Sequence, residues 1–222
     1  HHRMSSQIPE KTRPLTDMEF NEMAKPCFTG IFHPLNPAFL AEPFVDRDWQ
    51  RFLFYSLDWN FVDLTRPILQ MLADENGDKG FFLSVLGFEQ SNRPSRYNYH
   101  WYISIEDVDD YDYLETAAQF KIRYVDFYIY SLQADWGILC GVDELSWFTA
   151  SDELLPIFIE SLPDLSSHPA QFLDYLTDRF GSHLERVNRE GWIVRVLTHV
   201  CGPKRTEDLL KERGLDHLYG QS

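Results

Sequence analysis

The period of the hydrophobic positions changes twice along the chain. It is mostly helical from 16 to 76, strand-like from 80 to 140, and helical again from 151 onward. Thr16 followed by residues 17–25 reads as a short capped helix stopped by Pro26, and the proline-rich stretch 26–45 as irregular chain with one helical turn near 38–41. Asp46 is placed to cap a helix reaching about Leu57, with Trp49, Phe52, Leu53 and Ser56 on one stripe. Asp63 or Thr65 caps the next helix. Leu64, Ile68, Met71 and Leu72 form its buried face, Pro67 sits in its first turn, and Asn76–Gly77 ends it.

The middle reads as strands. Residues 80–88 are apolar on both faces, as a central strand requires. Residues 97–105 alternate: Tyr97, Tyr99, Trp101, Ile103 and Ile105 lie on one face, and Asn98, His100, Tyr102 and Ser104 on the other. Residues 121–131 form a third strand, with Val125, Phe127 and Ile129 opposite Tyr124, Asp126, Tyr128 and Tyr130; residues 136–140 form a fourth. Helices are then expected at 152–161 (capped by Ser151), 168–180 (ended by Gly181), 182–190, and from Thr206 to Gly214. Residues 192–200 fit either a strand, by their β-branched content, or a buried helix, by their context. Neighbouring strands of this kind pair antiparallel. The expected fold is therefore α+β, a mostly antiparallel central sheet flanked by N-terminal and C-terminal helices. Residues 1–15 are expected to be a tag remnant (His1–His2–Arg3) and a flexible arm, and 16–222 one α+β domain.

Composition narrows the function classes. A chain of 222 residues with 44% hydrophobic, 15% aromatic and 25% charged residues can build its own core. Thirty-five acids against twenty Lys and Arg give a net charge of −15, which argues against a nucleic-acid binder, since phosphate surfaces need clustered cations. No apolar run approaches the ~20 residues that span a bilayer, so no membrane partner is expected. Three widely spaced cysteines, Cys27, Cys140 and Cys201, fit reduced thiols in a cytoplasmic protein rather than a disulfide scaffold. There is no phosphate-binding loop, dinucleotide fingerprint, HExxH or GxSxG motif. His199 and Cys201 flank Val200, but no further ligands stand nearby, so neither a metal nor any other cofactor is expected.

Two groups of polar residues remain. His100 and Tyr102, together with Tyr124, Asp126 and Tyr128, could converge as an acid–base site if their strands are neighbours, or form a helix-covered sheet face with satisfied hydrogen bonds. The stronger signal is charge. Residues 101–164 carry a net −12, leaving −3 for the rest of the chain. The densest part is Glu106, Asp107, Asp109, Asp110, Asp112 and Glu115, interleaved with Tyr111 and Tyr113. Such a segment must face solvent, a cation or a basic partner. Carboxylates steer a basic surface and tyrosines supply contact area, so these eight residues are the candidate partner-binding set.

Residues 124–164 also carry a recognisable order. An aromatic strand (Val125–Tyr130) is followed by a Trp-Gly strand (Asp135–Trp136–Gly137–Ile138–Leu139), an acidic pair (Asp143–Glu144) and an amphipathic helix. This order resembles bacterial immunity proteins of polymorphic-toxin systems. The resemblance implies a small acidic cytoplasmic inhibitor that neutralises a cognate toxin or effector by occlusion, with no catalytic residues of its own. Two alternatives stay open: an enzyme using the His100, Asp126 and tyrosine face, and a non-inhibitory adaptor module.

Overall fold

The computed structural model describes residues 7–33, 41–45, 47–55, 61–85, 100–108, 127–140, 145–162 and 164–220; for 61–65 and 85 it describes the backbone alone. Among the described residues seven strands form one sheet: β1 (Arg13–Pro14), β2 (Arg51–Tyr55), β3 (Gly80–Val85), β4 (His100–Ser104), β5 (Phe127–Ser131), β6 (Trp136–Cys140) and β7 (Leu145–Ala150). Their spatial order is β1-β4-β3-β5-β6-β7-β2, and every pairing is antiparallel. The α+β fold with flanking helices follows.

The helices are α1 (Asp17–Glu19), running through a π turn (Phe20–Ala24) into α2 (Lys25–Ile31), then α3 (Phe61–Asn76), α4 (Leu155–Ser161), α5 (His168–Phe180), α6 (Leu184–Val187) and α7 (Trp192–Glu212). They cover both faces of the sheet. On one face Phe82, Tyr102, Tyr128, Tyr130, Leu139 and Trp147 share a core with Phe28 and Ile31 of α2, Phe172 and Leu173 of α5, and Ile193 and Leu197 of α7. On the other, Phe81, Leu83, Ile103, Ile129, Trp136, Ile138 and Phe148 pack with Ile68, Leu69 and Leu72 of α3 and Ile157 and Phe158 of α4. A sheet covered twice needs strands apolar on both faces, and β5, β6 and β7 are buried at every position.

Thr16 opens α1 with a capping box: its hydroxyl accepts from Glu19 N–H (3.2 Å), and the Glu19 carboxylate accepts from Thr16 N–H (2.9 Å). Arg13 pairs with the same carboxylate and holds Glu19 down at about 2. Pro26 does not stop the helix; it falls in the first turn of α2, where a missing N–H costs nothing. The sequence-predicted 168–180 helix is found with those bounds, and Gly181 closes it at φ 46°.

Four further readings change, and one left open, residues 192–200, is decided. The helix expected from Asp46 to Leu57 is not found over its described part, 47–55; β2 occupies Arg51–Tyr55 and pairs with β7 along its length. The run Arg-Phe-Leu-Phe-Tyr is short and aromatic, and pairing with a strand over 90 residues away decides it. Residues 145–150 form β7, which the acidic pair and Trp147–Phe148 did not announce. Residues 192–200 are helix, with Ile193, Val194, Val196 and Leu197 buried. Thr206 is not a cap; its hydroxyl donates back to Gly202 O (2.8 Å) within α7, which is broken at Gly202 (φ 79°) and Pro203. Arg13–Pro14, within the stretch expected to be an arm, pair with β4, and Leu15 beyond them is buried.

Gly137 shows how closely α2 sits on the sheet. A Cβ there would lie 2.7 Å from Ile31 Cγ2 and 2.7 Å from Phe32 Cζ, both fully buried and unable to retreat. Gly137→Ala is expected to cost about 1–3 kcal/mol by overpacking, read by urea denaturation. A wild-type midpoint would mean that α2 does not press on β6.

Candidate functional site: an acidic end of the sheet

The register brings chain segments far apart in sequence to one end of the sheet. Gly80 stands opposite Ser104, Phe81 opposite Ser131, Trp136 opposite Ala150 and Thr149 opposite Arg51. The segments next to these residues, 78–79, 105–107, 132–135 and 151–153, therefore lie side by side. Hydrogen bonds stitch them together: Ile105 N–H donates to Lys79 O (3.0 Å), Ser151 N–H to Asp135 O (2.8 Å), and Trp136 Nε1–H to Asp78 Oδ2 (3.3 Å). Thr12 from the N-terminal segment bonds Asp107.

Among the described residues, the carboxylates Asp78, Glu106, Asp107, Asp135, Asp152 and Glu153 stand at this end, with Lys79 among them and Arg47 beside Asp135, donating to Ala134 O (3.4 Å). Glu106, Asp152 and Glu153 are exposed; Asp78, Asp107 and Asp135 are half-buried. Burial pushes the Asp78 carboxyl above its usual range, and the neighbouring Asp135 charge adds to the shift while the Trp136 N–H opposes it. Asp135 Oδ1 is buried and accepts no hydrogen bond from any described residue. An orphaned carboxylate oxygen next to a second carboxylate carries desolvation cost that a cation would remove.

Glu106 and Asp107, the first two of the sequence-predicted partner residues, are thus in a short 3-10 turn (Ile105–Asp107) within this end. Asp109, Asp110, Tyr111, Asp112, Tyr113 and Glu115 lie outside the described residues. Asp78 and Asp135, separated by a sheet's width of chain, were not legible as members. The signal that could have found them is position: each is within two residues of a predicted strand start at this end.

The second candidate resolves differently. β4 and β5 are not neighbours, because β3 lies between them. His100 Nδ1 instead meets Ser84 Oγ of β3 (2.9 Å), and Ser84 Oγ meets Tyr130 OH of β5 (2.8 Å). The Phe20 ring stacks on the imidazole, centroids 3.5 Å apart and 8° from parallel. Burial brings the imidazole down to about 4, against a small opposing pull from Asp17, and pushes the Tyr130 phenol up. A serine bonded to a histidine is the geometry of an activated nucleophile. Here Ser84 and Tyr130 have no exposed surface, so the hydroxyl is sealed from a substrate. The chain works as a satisfied polar link across three strands. Tyr102 and Tyr128 are buried on this helix-covered face, and Tyr124 and Asp126 lie outside the described residues. Ser84 was missed because it is a lone polar residue in an apolar run.

His199 and Cys201 do not converge. Phe44 N–H donates to His199 Nε2 (3.3 Å), and the Cys201 thiol donates to Leu197 O (3.1 Å). Among the described residues no three His, Cys, Asp or Glu side chains gather as a metal site, and no helix is long and apolar enough to cross a membrane. No family model, curated protein or solved structure matches this chain.

Proposed function

We propose that this chain is a cytoplasmic protein-binding inhibitor of the bacterial immunity type, which neutralises a basic toxin or effector by covering it. The observation that carries this reading is the row of six carboxylates at one end of the sheet, fixed there by the strand register. A toxin that acts on nucleic acid has a cationic active-site surface, since its substrate is anionic. A rigid acidic end competes for that surface, and its charges raise the encounter rate and fix register. Asp109, Asp110, Asp112 and Glu115, with Tyr111 and Tyr113 as contact area, continue the acidic segment in sequence from Asp107. The sealed Ser84–His100–Tyr130 chain supports binding over catalysis.

The test begins with capture of the partner from the native host. The captured protein should be basic at its contact surface, and its toxic or catalytic activity should fall to zero at one equivalent of this chain. Neutralising Glu106→Gln, Asp152→Asn and Glu153→Gln together should slow association about tenfold at low salt. The effect should fade as salt shortens the screening length below about 8 Å. Stability should hold, because all three side chains are exposed. A partner that keeps its full activity when bound would make this chain an adaptor. Wild-type association rates at both salt concentrations would move the interface elsewhere.

A further inference from the structure

Of the seven asparagines in the chain, only Asn76 is followed by glycine. It is the last residue of α3, and both Asn76 and Gly77 are exposed. Two main-chain bonds close the helix behind it: Gly77 N–H donates to Ala73 O (3.2 Å) and Asp78 N–H to Leu72 O (3.3 Å). Both are long for bonds of this kind, and a terminal turn opens at little cost in free energy. Gly77 takes φ 71°, and a Cβ on it would meet nothing within 4 Å, so no other part of the fold crowds this residue.

The Asn76 side chain leans toward that glycine. Helical side chains ordinarily tilt back toward the N-terminus of their helix. Asn76 instead reaches forward, and its Nδ2–H donates to Asp78 Oδ1 (3.1 Å), two residues on. The other oxygen of that carboxylate accepts from Trp136 Nε1–H (3.3 Å), so the acceptor is anchored to β6. The side-chain amide is thereby held on the Gly77 side of its own main chain.

We propose that Asn76 is a site of spontaneous modification, where the side-chain amide is converted through a cyclic imide to aspartate and isoaspartate. As the last turn of α3 opens, hydroxide takes the Gly77 N–H proton. The nitrogen bonds to Asn76 Cγ and closes a five-membered ring, and the Cγ–Nδ2 bond breaks. Nδ2 leaves as ammonia with a proton from water, which restores the hydroxide. Water then opens the ring: attack at Cγ gives aspartate, and attack at the main-chain carbon gives isoaspartate, with the chain continuing through Cγ. One water is consumed and one ammonia released. The product places a new negative charge two residues from Asp78, at the end of the sheet that already holds Asp107 and Asp135. Asp78 loses the N–H that favours its charged form and gains a like charge, so its carboxyl moves further up.

The experiment holds full-length protein in mildly alkaline buffer beside an acetylated, amidated peptide of the same local sequence, Asp-Glu-Asn-Gly-Asp-Lys, which has no helix to open. Intact mass should rise by the difference between an amide and an acid. Peptide mapping should place the change at Asn76 and at none of the other six asparagines. An isoaspartate-specific methyltransferase should label the product. The folded protein should react within about tenfold of the peptide rate, because the turn that must open is terminal. Asn76→Gln, whose longer side chain would have to close a six-membered ring, should abolish the gain. The proposal is overturned by a folded rate below that limit, by a gain located at another asparagine, or by an Asn76→Gln protein that gains mass as fast as wild type.

Discussion

Truncating Phe127 and Tyr128 one at a time will cost similar amounts of stability, about 3–5 kcal/mol each, although the two side chains leave β5 on opposite faces. Phe127 is 4% exposed and belongs to the core under α3 and α4; Tyr128 is 1% exposed and belongs to the core under α2, α5 and α7. The Tyr128 ring meets Phe28 and Phe32 edge-on, with centroids 5.1 Å and 4.9 Å away. In a sheet with one solvated face, one of the two substitutions would fall within about 0.5 kcal/mol of neutral. Urea melts of Phe127→Ala and Tyr128→Ala measure the difference. A loss under about 1 kcal/mol for Tyr128→Ala would remove the helical layer from that face, and an unchanged Phe127→Ala would refute the register of β5.

The folded protein should lose stability as pH falls from about 6.5 to about 4, and His100→Gln should remove most of that loss. The His100 imidazole is brought from 6.5 to about 4, first by burial beneath Phe20 and against a weaker pull from Asp17. Its folded value lies below its unfolded one. The unfolded chain therefore binds the extra proton first, and folding is favoured only while the ring is neutral in both states. The contribution is complete above the unfolded value and drains away as pH approaches the folded one. The shift corresponds to about 3 kcal/mol before screening, and to about 2 kcal/mol once the partly exposed ring edge is allowed for. Glutamine keeps an acceptor for the Ser84 hydroxyl and cannot titrate. Glu19 acts in a separate window: its folded value of about 2 lies below the ordinary 4.5, so its contribution is lost only below about 4.5. Asp78 acts with the opposite sign, since its raised carboxyl takes up a proton more readily folded than unfolded. Urea midpoints at pH 7, 5.5 and 4.5 for wild type and His100→Gln decide it. Parallel declines in the two proteins would show that His100 stays accessible to protons in the folded state.

Much of the local structure was written in short-range patterns. The Thr16 cap, the stripe of α3, the bounds of α5, the two-faced apolar run of β3 and the alternation of β5 each depend on residues a turn or a pleat apart, and sequence carries that information directly. The acidity of residues 101–164 was also legible, because charge is additive along a chain. What required the tertiary structure is everything set by pairing at a distance. β2 became an edge strand because β7 met it, not because of its own propensity. Residues 192–200 settled as helix because their β-branched side chains are buried in the core that α7 shares with the sheet. The insertion of β3 between β4 and β5 keeps those two strands apart, and His100 meets Ser84 of β3. The same register drew Asp78 and Asp135 to the end that Glu106 and Asp107 occupy. Composition fixes how much charge a chain carries; only strand order and register fix which charges stand together.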